Sequence, residues 1–287
     1  MCTSPSRRRF LTISSAACAT WLGGARAMLA ADEDEWGGFP VGIQSISLRK
    51  YSLPEAIRHV QDLGLRHVEF SASAHLRSTA TDDQIREARL LATMAGLKVT
   101  AQGANRFSRD HSANRRVFEF ARKLGIRTIT ANPESDAETF ASLERLVVEY
   151  DIRIAIHNHG PGALYDKLDD VVKATKDRDR RIGACIDCGH YLASGEDPVQ
   201  CVLALGDRVY GVHLKDQAEF GKRSPNVIIG RGHLDVVGLF KALRKIRFPG
   251  DGALSLEYEA NPENPLDDIK ACLAIVKEAI VRSGQDR

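Results

Sequence analysis

The sequence lacks an apolar run of the roughly 18 residues that a membrane-spanning helix needs, so we expect no integral membrane segment. It also lacks an excess of either charge, because 40 Lys and Arg residues stand against 38 Asp and Glu residues. That balance offers no broadly basic surface, and we therefore expect no nucleic-acid partner. Glycine and proline, at 23 and 10 residues, are too few for a collagen-like or low-complexity chain. The composition is typical of a globular protein of enzyme size.

Cysteine is scarce, with six residues in 287, and two of the six fall before residue 30. The other four are Cys185, Cys188, Cys201 and Cys272. The Cys185-x-x-Cys188 spacing occurs in zinc and redox sites, but a zinc ribbon needs four ligands and no second Cys pair follows. The spacing gives a disulfide no support, and we expect these side chains to pack in the core.

Residues 1–30 have the features of an export signal. Arg7-Arg8-Arg9 precede Phe10-Leu11 and an Ala-rich stretch over residues 12–24. Ala25-Arg26-Ala27 then gives the small-x-small pattern of a signal peptidase site. An Arg pair before x-Phe-Leu resembles the twin-arginine type, and we predict export to the periplasm by that route. Cleavage after Ala27 removes four Arg and no acidic residue, which leaves a net charge of −2.

From residue 41 onward, short β-branched runs alternate with amphipathic segments. The predicted strands cover residues 41–47, 67–71, 98–102, 128–131, 153–157, 182–186, 209–214 and 253–257. Eight strand–helix units in about 245 residues predict an α/β fold, a (β/α)8 TIM barrel over residues 38–284. A doubly wound open sheet is the alternative, but it favours a glycine-rich turn after the first strand, and residues 45–49 contain no glycine.

Polar side chains follow the ends of the last four predicted strands. In a barrel of this type the chemistry lies at the C-terminal ends of the strands, where four successive strands carry His157, Asp187, His213 and Glu257. Two imidazoles and two carboxylates that converge on one barrel mouth would repel one another or stay unsatisfied unless a cation lies among them; the alternative is that each His has a structural role. Mixed nitrogen and oxygen ligands suit Mn, Co, Fe or Zn better than Ca or Mg. We predict that these four residues bind one divalent metal ion, with Mn favoured.

Five segments carry a resemblance to a known family. They are Ile156-His157-Asn158-His159-Gly160, Asp187-Cys188-Gly189-His190, Val212-His213-Leu214-Lys215-Asp216, Gly230-Arg231-Gly232 and Ser255-Leu256-Glu257-Tyr258-Glu259. In order and spacing they resemble the xylose isomerase-like barrel superfamily, a group of sugar phosphate isomerases and epimerases. The resemblance covers nearly all of the chain that follows the signal, and it implies the same four metal ligands.

The same resemblance assigns further roles and shows one departure. It implies that Arg231 meets substrate oxygens and that His190 lies beside the substrate. In the epimerases of the family a Glu ends strand 5 and acts, together with the Glu of strand 8, as one of two proton-transfer bases. This chain has His157 at the strand-5 position, so it departs from the arrangement with two carboxylates.

We expect Glu257 to be a catalytic base as well as a metal ligand, with Glu69, His159 or His190 as its acid–base partner. Lys215 is expected to bind a substrate oxygen or acidic group, and the alternative is a salt bridge to the neighbouring acidic residue at position 216.

These features predict a metal-dependent sugar isomerase or epimerase that acts through an enediolate on a small-molecule carbohydrate. A metal-dependent lyase or dehydratase that eliminates a β-leaving group from a keto-sugar or 3-keto-glycoside is the alternative. A metal-dependent endonuclease and a sugar-binding protein without activity are further alternatives from other classes. Export favours a neutral or oxidised carbohydrate over a phosphorylated one, and self-association into a homo-oligomer is left open.

Overall fold

The computed structural model describes Met1 and residues 35–285. The chain divides into two compact units, Met1–Gly38 and Phe39–Arg287, and the second unit holds all the helices and strands of the described part. Apart from Met1, the predicted export signal over residues 1–30 lies outside the described residues, and it stays a prediction.

Eight parallel strands of the second unit close into a barrel. The described residues form ten strands, of which all but β8 and β9 belong to the barrel: β1 (Val41–Gln44), β2 (His67–Ser71), β3 (Lys98–Phe107), β4 (Thr128–Pro133), β5 (Arg153–His157), β6 (Ile182–Asp187), β7 (Val209–Leu214), β8 (Asp216–Gln217), β9 (Asn226–Val227) and β10 (Ala253–Leu256). The barrel order is β1-β10-β7-β6-β5-β4-β3-β2, and β1 pairs with β2 to close it. Strands β8 and β9 form a separate antiparallel hairpin. The predicted (β/α)8 barrel is confirmed.

The helices alternate with the barrel strands along the chain. They are α1 (Leu53–Asp62), α2 (Asp82–Met94), α3 (His111–Leu124), α4 (Ala137–Tyr150), α5 (Leu168–Thr175), α6 (Cys188–Ala193), α7 (Pro198–Leu205), α8 (Val236–Lys245) and α9 (Leu266–Ser283). Local chemistry sets their ends. Thr81 caps α2 by accepting a hydrogen bond from the Gln84 amide, and Gly125 ends α3 with φ of 83°, a conformation that favours glycine.

Several elements differ from the sequence-based expectation. Strand β1 ends at Gln44 rather than at residue 47, because the Gln44 side chain accepts a hydrogen bond from the Ile46 amide and starts a 3₁₀ turn. Strand β3 continues to Phe107 instead of ending at residue 102, since its pairing with β4 shifts register after Gln102 and resumes at Asn105. The short helix α6 and the β8–β9 hairpin were not expected.

Expectations from the composition can also be compared with the structure. All four cysteines after residue 35 are free and buried, as predicted for packing residues. Within the described part of the chain, no helix combines the length and the apolar character that crossing a bilayer requires.

Candidate functional site

The register of the barrel brings the predicted metal ligands together at the C-terminal ends of the strands. Asp187 on β6 is paired directly with His213 on β7. His157 ends β5 opposite Cys185, one strand further along the barrel. Glu257 follows β10, and its amide continues the ladder by donating to the Leu214 carbonyl at 3.0 Å. Four consecutive strands therefore place these side chains at one end of the barrel.

Three of the four predicted ligands form a compact cluster. The ligand atoms of His157, Asp187 and His213 all lie within 4.8 Å of one another, and all three residues are buried. His157 Nε2 is 3.0 Å from His213 Nδ1, and Asp187 Oδ2 lies 3.6 Å and 3.7 Å from these two nitrogens. Glu257 Oε2 is 2.9 Å from His213 Nδ1, which brings the fourth predicted ligand to the edge of the cluster.

The Asp187 carboxylate shows that the cluster fits a metal ion. Its Oδ1 caps helix α6 by accepting the His190 amide at 2.8 Å, and this bond fixes the orientation of the carboxylate. Its Oδ2 is fully buried and accepts no hydrogen bond from any residue in the described part of the chain. Burial alone would raise the pKa of Asp187, but the charges of His190 and Lys215 outweigh it and hold the pKa well below its usual range. The Lys215 ammonium lies 3.9 Å from this oxygen, beyond hydrogen-bond distance, so the oxygen is left to bind a cation directly.

The spacing of the ligand atoms agrees with this reading. Ligand atoms that bind one tetrahedral ion at 2.0–2.2 Å lie roughly 3.4 Å from one another. The distances of 3.0, 3.6 and 3.7 Å among His157 Nε2, His213 Nδ1 and Asp187 Oδ2 bracket that value. Two imidazoles and one carboxylate are a donor set for Mn, Fe, Co or Zn.

Glu69 lies beneath this cluster and not at its mouth. It is fully buried, its Oε1 accepts from Thr130 at 2.7 Å, and its Oε2 accepts from Ser255 at 2.8 Å. His213 Nε2 is 3.1 Å from the same Oε2. Burial raises the pKa of Glu69, but His213 and the two hydroxyl donors lower it by more than burial raises it. The carboxylate is therefore ionised and can only accept hydrogen bonds. Glu69 therefore holds a proton on His213 Nε2, and a metal ion at the ligand cluster would take the place of the proton on Nδ1.

A buried lysine lies between two glutamates on the other side of the cluster and donates a hydrogen bond to each. Lys215 is 2% exposed, donates to Glu257 Oε1 at 2.7 Å and also donates to Glu259 Oε2. Burial would lower the pKa of Lys215, but the neighbouring carboxylates raise it, and the ammonium stays charged. Burial likewise raises the pKa of Glu257, while Lys215 and His213 lower it more strongly. The alternative that Lys215 pairs with Asp216 is wrong, since that carboxylate accepts backbone amides instead.

His159 and His190 form the wall on the β5 side. Their rings stack with centroids 5.2 Å apart, and His159 Nδ1 is 3.3 Å from His157 Nδ1. Burial, reinforced by the charges of His157 and His190, lowers the pKa of His159 to about 4. Burial also lowers the pKa of His190. The imidazole of His159 is therefore neutral near pH 7 and can accept a proton.

These side chains open into a cleft of about 720 Å³ at the barrel mouth. That volume is within the usual range for a small-molecule site. Its lining includes six of the sequence-predicted site residues, which are His157, His159, His190, His213, Lys215 and Glu257. Asp187 and Glu69 lie below the lining, fully buried.

Arg231 is not among the residues that line the cleft. Its side chain is exposed, and the loop that carries it is fixed from below by the buried Asp216 carboxylate, which accepts the amides of Gly230 and Gly232 at 2.9 and 3.0 Å. The expectation that Arg231 meets substrate at the cleft is therefore not supported by its placement.

Other cationic side chains line the cleft in its place. Arg77 follows β2 and Arg106 lies on β3. Arg223, from the β8–β9 hairpin loop, lines a side cavity next to His190 and donates to the Pro161 carbonyl at 3.0 Å. Sequence reasoning missed Arg106 because β3 was expected to end at residue 102. The regular alternation of the strand gave no signal for Arg106, because the register with β4 shifts between Gln102 and Asn105.

Comparison with curated proteins gives relatives of three kinds. "Probable endonuclease 4" of Thermoplasma acidophilum is 30% identical over 145 residues, which cover 44% of this chain and 51% of that protein. "Putative L-ribulose-5-phosphate 3-epimerase SgbU" of Escherichia coli is 37% identical over 90 residues, or 30% of this chain and 31% of the relative. "Inosose dehydratase" of Clostridium botulinum is 28% identical over 144 residues, which cover 44% of this chain and 47% of that protein. The chain thus matches about half or less of the length of each of these relatives.

Solved structures and a family model give a more extensive match. The crystal structure of an IolI protein with a bound zinc atom superposes with a TM-score of 0.69 at 16% identity, covering 86% of this chain and all of that one. Identity at this level shows a shared fold. The family model described as "Xylose isomerase-like TIM barrel" matches residues 57–278, which include every predicted site residue. The chain therefore belongs to the xylose isomerase-like TIM barrel family.

Proposed function

We propose that the protein is a divalent-metal-dependent isomerase or epimerase of a keto-sugar or a related carbohydrate. The observation that carries the proposal is the buried Asp187 Oδ2, which lacks a hydrogen-bond donor within the described residues and faces His157 Nε2 and His213 Nδ1. These three residues, with Glu257 at the edge, would hold the ion. A divalent ion bound there acts as a Lewis acid toward a sugar carbonyl and its neighbouring hydroxyl.

Two candidate proton-transfer groups stand on opposite sides of the ligand cluster. Glu257 follows β10 and His159 follows β5, and the barrel order places β6 and β7 between these strands. The ionised Glu257 is suited to take the proton on the carbon next to the carbonyl. His159 would take a proton from solvent and return it from the other side, and the proton held by Glu257 would then pass to solvent. Proton removal by one group and return by the other inverts or moves the stereocentre, so an imidazole takes the part of the second carboxylate of the epimerases.

Three more residues support this scheme, one by binding the substrate and two by positioning other side chains. Lys215 holds Glu257 and Glu259 in place by hydrogen bonds. Its buried ammonium lowers the pKa of Glu257 and so stabilises the ionised carboxylate. Arg106 reaches the cleft from β3 and offers planar donors to substrate hydroxyls. Glu69 acts as a positioning residue, since its carboxylate touches His213 and not the cleft.

A lyase is the second candidate, favoured by the substitution of an imidazole for the strand-5 carboxylate. With His157 at the strand-5 position, Glu257 is the one carboxylate among the four predicted ligands that also lines the cleft. A single base that removes the α-proton, together with an imidazole that passes a proton from solvent to the departing oxygen, suffices for β-elimination.

Proton exchange distinguishes these reactions. The Mn²⁺-loaded full-length chain is incubated in D₂O with free ketoses and, separately, with 3-keto-glycosides. We expect deuterium at the α-carbon and formation of an epimer or isomer, and loss of both in Glu257→Gln. Glu263→Gln is the matched control, because Glu263 is exposed and forms a surface ion pair with Lys50. An elimination product without an epimer supports the lyase instead, and absence of exchange with every substrate contradicts both.

Export to the periplasm through residues 1–30 is part of the proposal. Its support is the Arg7-Arg8 pair and the Ala25-Arg26-Ala27 pattern. Expression in a bacterium with a twin-arginine system, followed by fractionation, tests it. We expect wild type in the periplasm and the double variant Arg7→Lys, Arg8→Lys in the cytoplasm; equal distribution of the two contradicts it.

A further inference from the structure

A second cavity of about 770 Å³ adjoins the metal cleft. The two cavities share five lining residues, Ser78, Thr79, Arg106, Asn132 and His159. His159 thus faces both the reacting end of the cleft and the second cavity. A molecule whose sugar occupies the cleft extends into the second cavity if it carries a substituent of moderate size.

The floor and outer wall of the second cavity are largely apolar. Phe107, Phe120 and Ile85 are buried along it, and the half-buried Val117 faces it from α3. Leu164 lines the outer wall and is 54% exposed, a high value for a leucine that faces a cavity. An exposed apolar side chain in a concave wall gains from an apolar ligand that covers it.

The charged residues of this cavity balance one another. Three are basic and three are acidic, namely Arg106, Arg116, Lys123, Asp82, Glu119 and Glu134. Lys123 and Asp82 are paired with each other at 2.6 Å. The cavity therefore has no excess of positive charge that would favour a phosphate or carboxylate.

We infer that the second cavity binds the neutral, apolar aglycone of a glycoside whose sugar lies in the metal cleft. This inference rests on the proposed function, since it places the sugar at the metal cleft. It narrows the substrate class from free ketoses to keto-glycosides with an apolar aglycone, because a glycoside keeps a carbonyl only at an oxidised ring carbon. Leu164 is the specificity residue, because its exposed side chain is covered when the aglycone binds.

Binding of two glycosides of one sugar tests this inference without requiring turnover. The Mn²⁺-loaded chain is titrated calorimetrically with p-nitrophenyl β-D-glucopyranoside and with methyl β-D-glucopyranoside. We expect the aryl glycoside to bind more tightly to wild type, and Leu164→Asp to lose about tenfold in affinity for it, the effect of uncovering about half of a leucine side chain. Affinity for the methyl glycoside stays unchanged. Leu90→Asp is the matched control, because Leu90 is 57% exposed on α2 and lies outside both cavities.

The outcomes separate this inference from the proposed function. Equal affinities of wild type for the two glycosides, no binding of either, or no effect of Leu164→Asp overturns the aglycone site. Equal losses for both glycosides in Leu164→Asp overturn it as well, since they indicate a general disturbance of the fold. Failure of the proposed function is read separately, as absence of α-proton exchange in D₂O, whatever the titrations give.

Discussion

Replacement of Glu69 by Gln perturbs the ligand cluster without replacing any of the predicted metal ligands. Glu69 Oε2 accepts from Ser255 Oγ and from His213 Nε2, and Oε1 accepts from Thr130 Oγ1. An amide has one acceptor oxygen in place of two and adds two donors. Three donors then compete for that oxygen. When the amide nitrogen faces His213, the proton of the ring must move from Nε2 to Nδ1, the atom that faces Asp187 and His157.

The magnitude follows from this change in tautomer. Loss of the partner behind a metal-binding histidine typically costs 10–100-fold in metal affinity, equivalent to about 1.4–2.7 kcal/mol. A hydrogen bond to a charged group contributes about 1.5–3 kcal/mol, which agrees with that range. We therefore expect Glu69→Gln to bind Mn²⁺ or Zn²⁺ 10–100-fold more weakly than wild type.

Competition with a chromogenic chelator measures this affinity at fixed pH and ionic strength. Ser255→Ala is the matched control: it removes one donor to the same oxygen but leaves the Glu69–His213 contact, so we expect a loss below tenfold. Thermal unfolding of both metal-free variants checks that the barrel is intact. An affinity of Glu69→Gln within twofold of wild type refutes the assigned role of Glu69 in orienting His213.

Three further predictions concern the fold around the site. Gly189→Ala is expected to lower activity, because the new Cβ would lie 2.7 Å from Lys215 Cγ and displace the buried lysine; unchanged steady-state rates contradict this contact. Leu146→Ala on α4 is expected to lower the free energy of unfolding by about 2–5 kcal/mol, measured in urea, because Leu146 is fully buried. Asp136 caps α4, and hydrogen bonds from Thr139 lower its pKa to about 2. Because the pKa of Asp136 is lower in the folded protein, its carboxylate stabilises the fold above the unfolded value near 3.9 and loses this effect as pH falls toward 2. The difference in melting temperature between wild type and Asp136→Ala is therefore expected to shrink from pH 5 to pH 3. A constant difference contradicts this prediction.

The barrel and the ligand cluster could be predicted because both follow from short-range patterns. Alternation of strands and helices specifies a parallel sheet, and the ends of successive strands then meet at one edge. Asp187 pairs with His213 in the observed register, and His157 lies one strand away. The alternation of side chains within each strand was enough to place these groups near one another.

Depth within the barrel and the course of the loops could not be predicted. Glu69 lies in the middle of β2, and its partners Thr130 and Ser255 come from strands that are distant along the chain. Only three-dimensional packing shows that these partners hold it below the cleft. Arg231 illustrates the same limit, because the buried carboxylate of Asp216 fixes its loop through long-range hydrogen bonds to backbone amides.

Metal content of the purified chain tests the central claim most directly. Wild type, Asp187→Asn and His213→Ala are loaded with Mn²⁺ or Zn²⁺, dialysed against metal-free buffer and measured by elemental analysis, with circular dichroism as a check on folding. The account predicts a stoichiometric ion in wild type and its loss in both variants while the barrel stays folded. Wild type without a bound ion, or folded variants that retain it, would contradict the account.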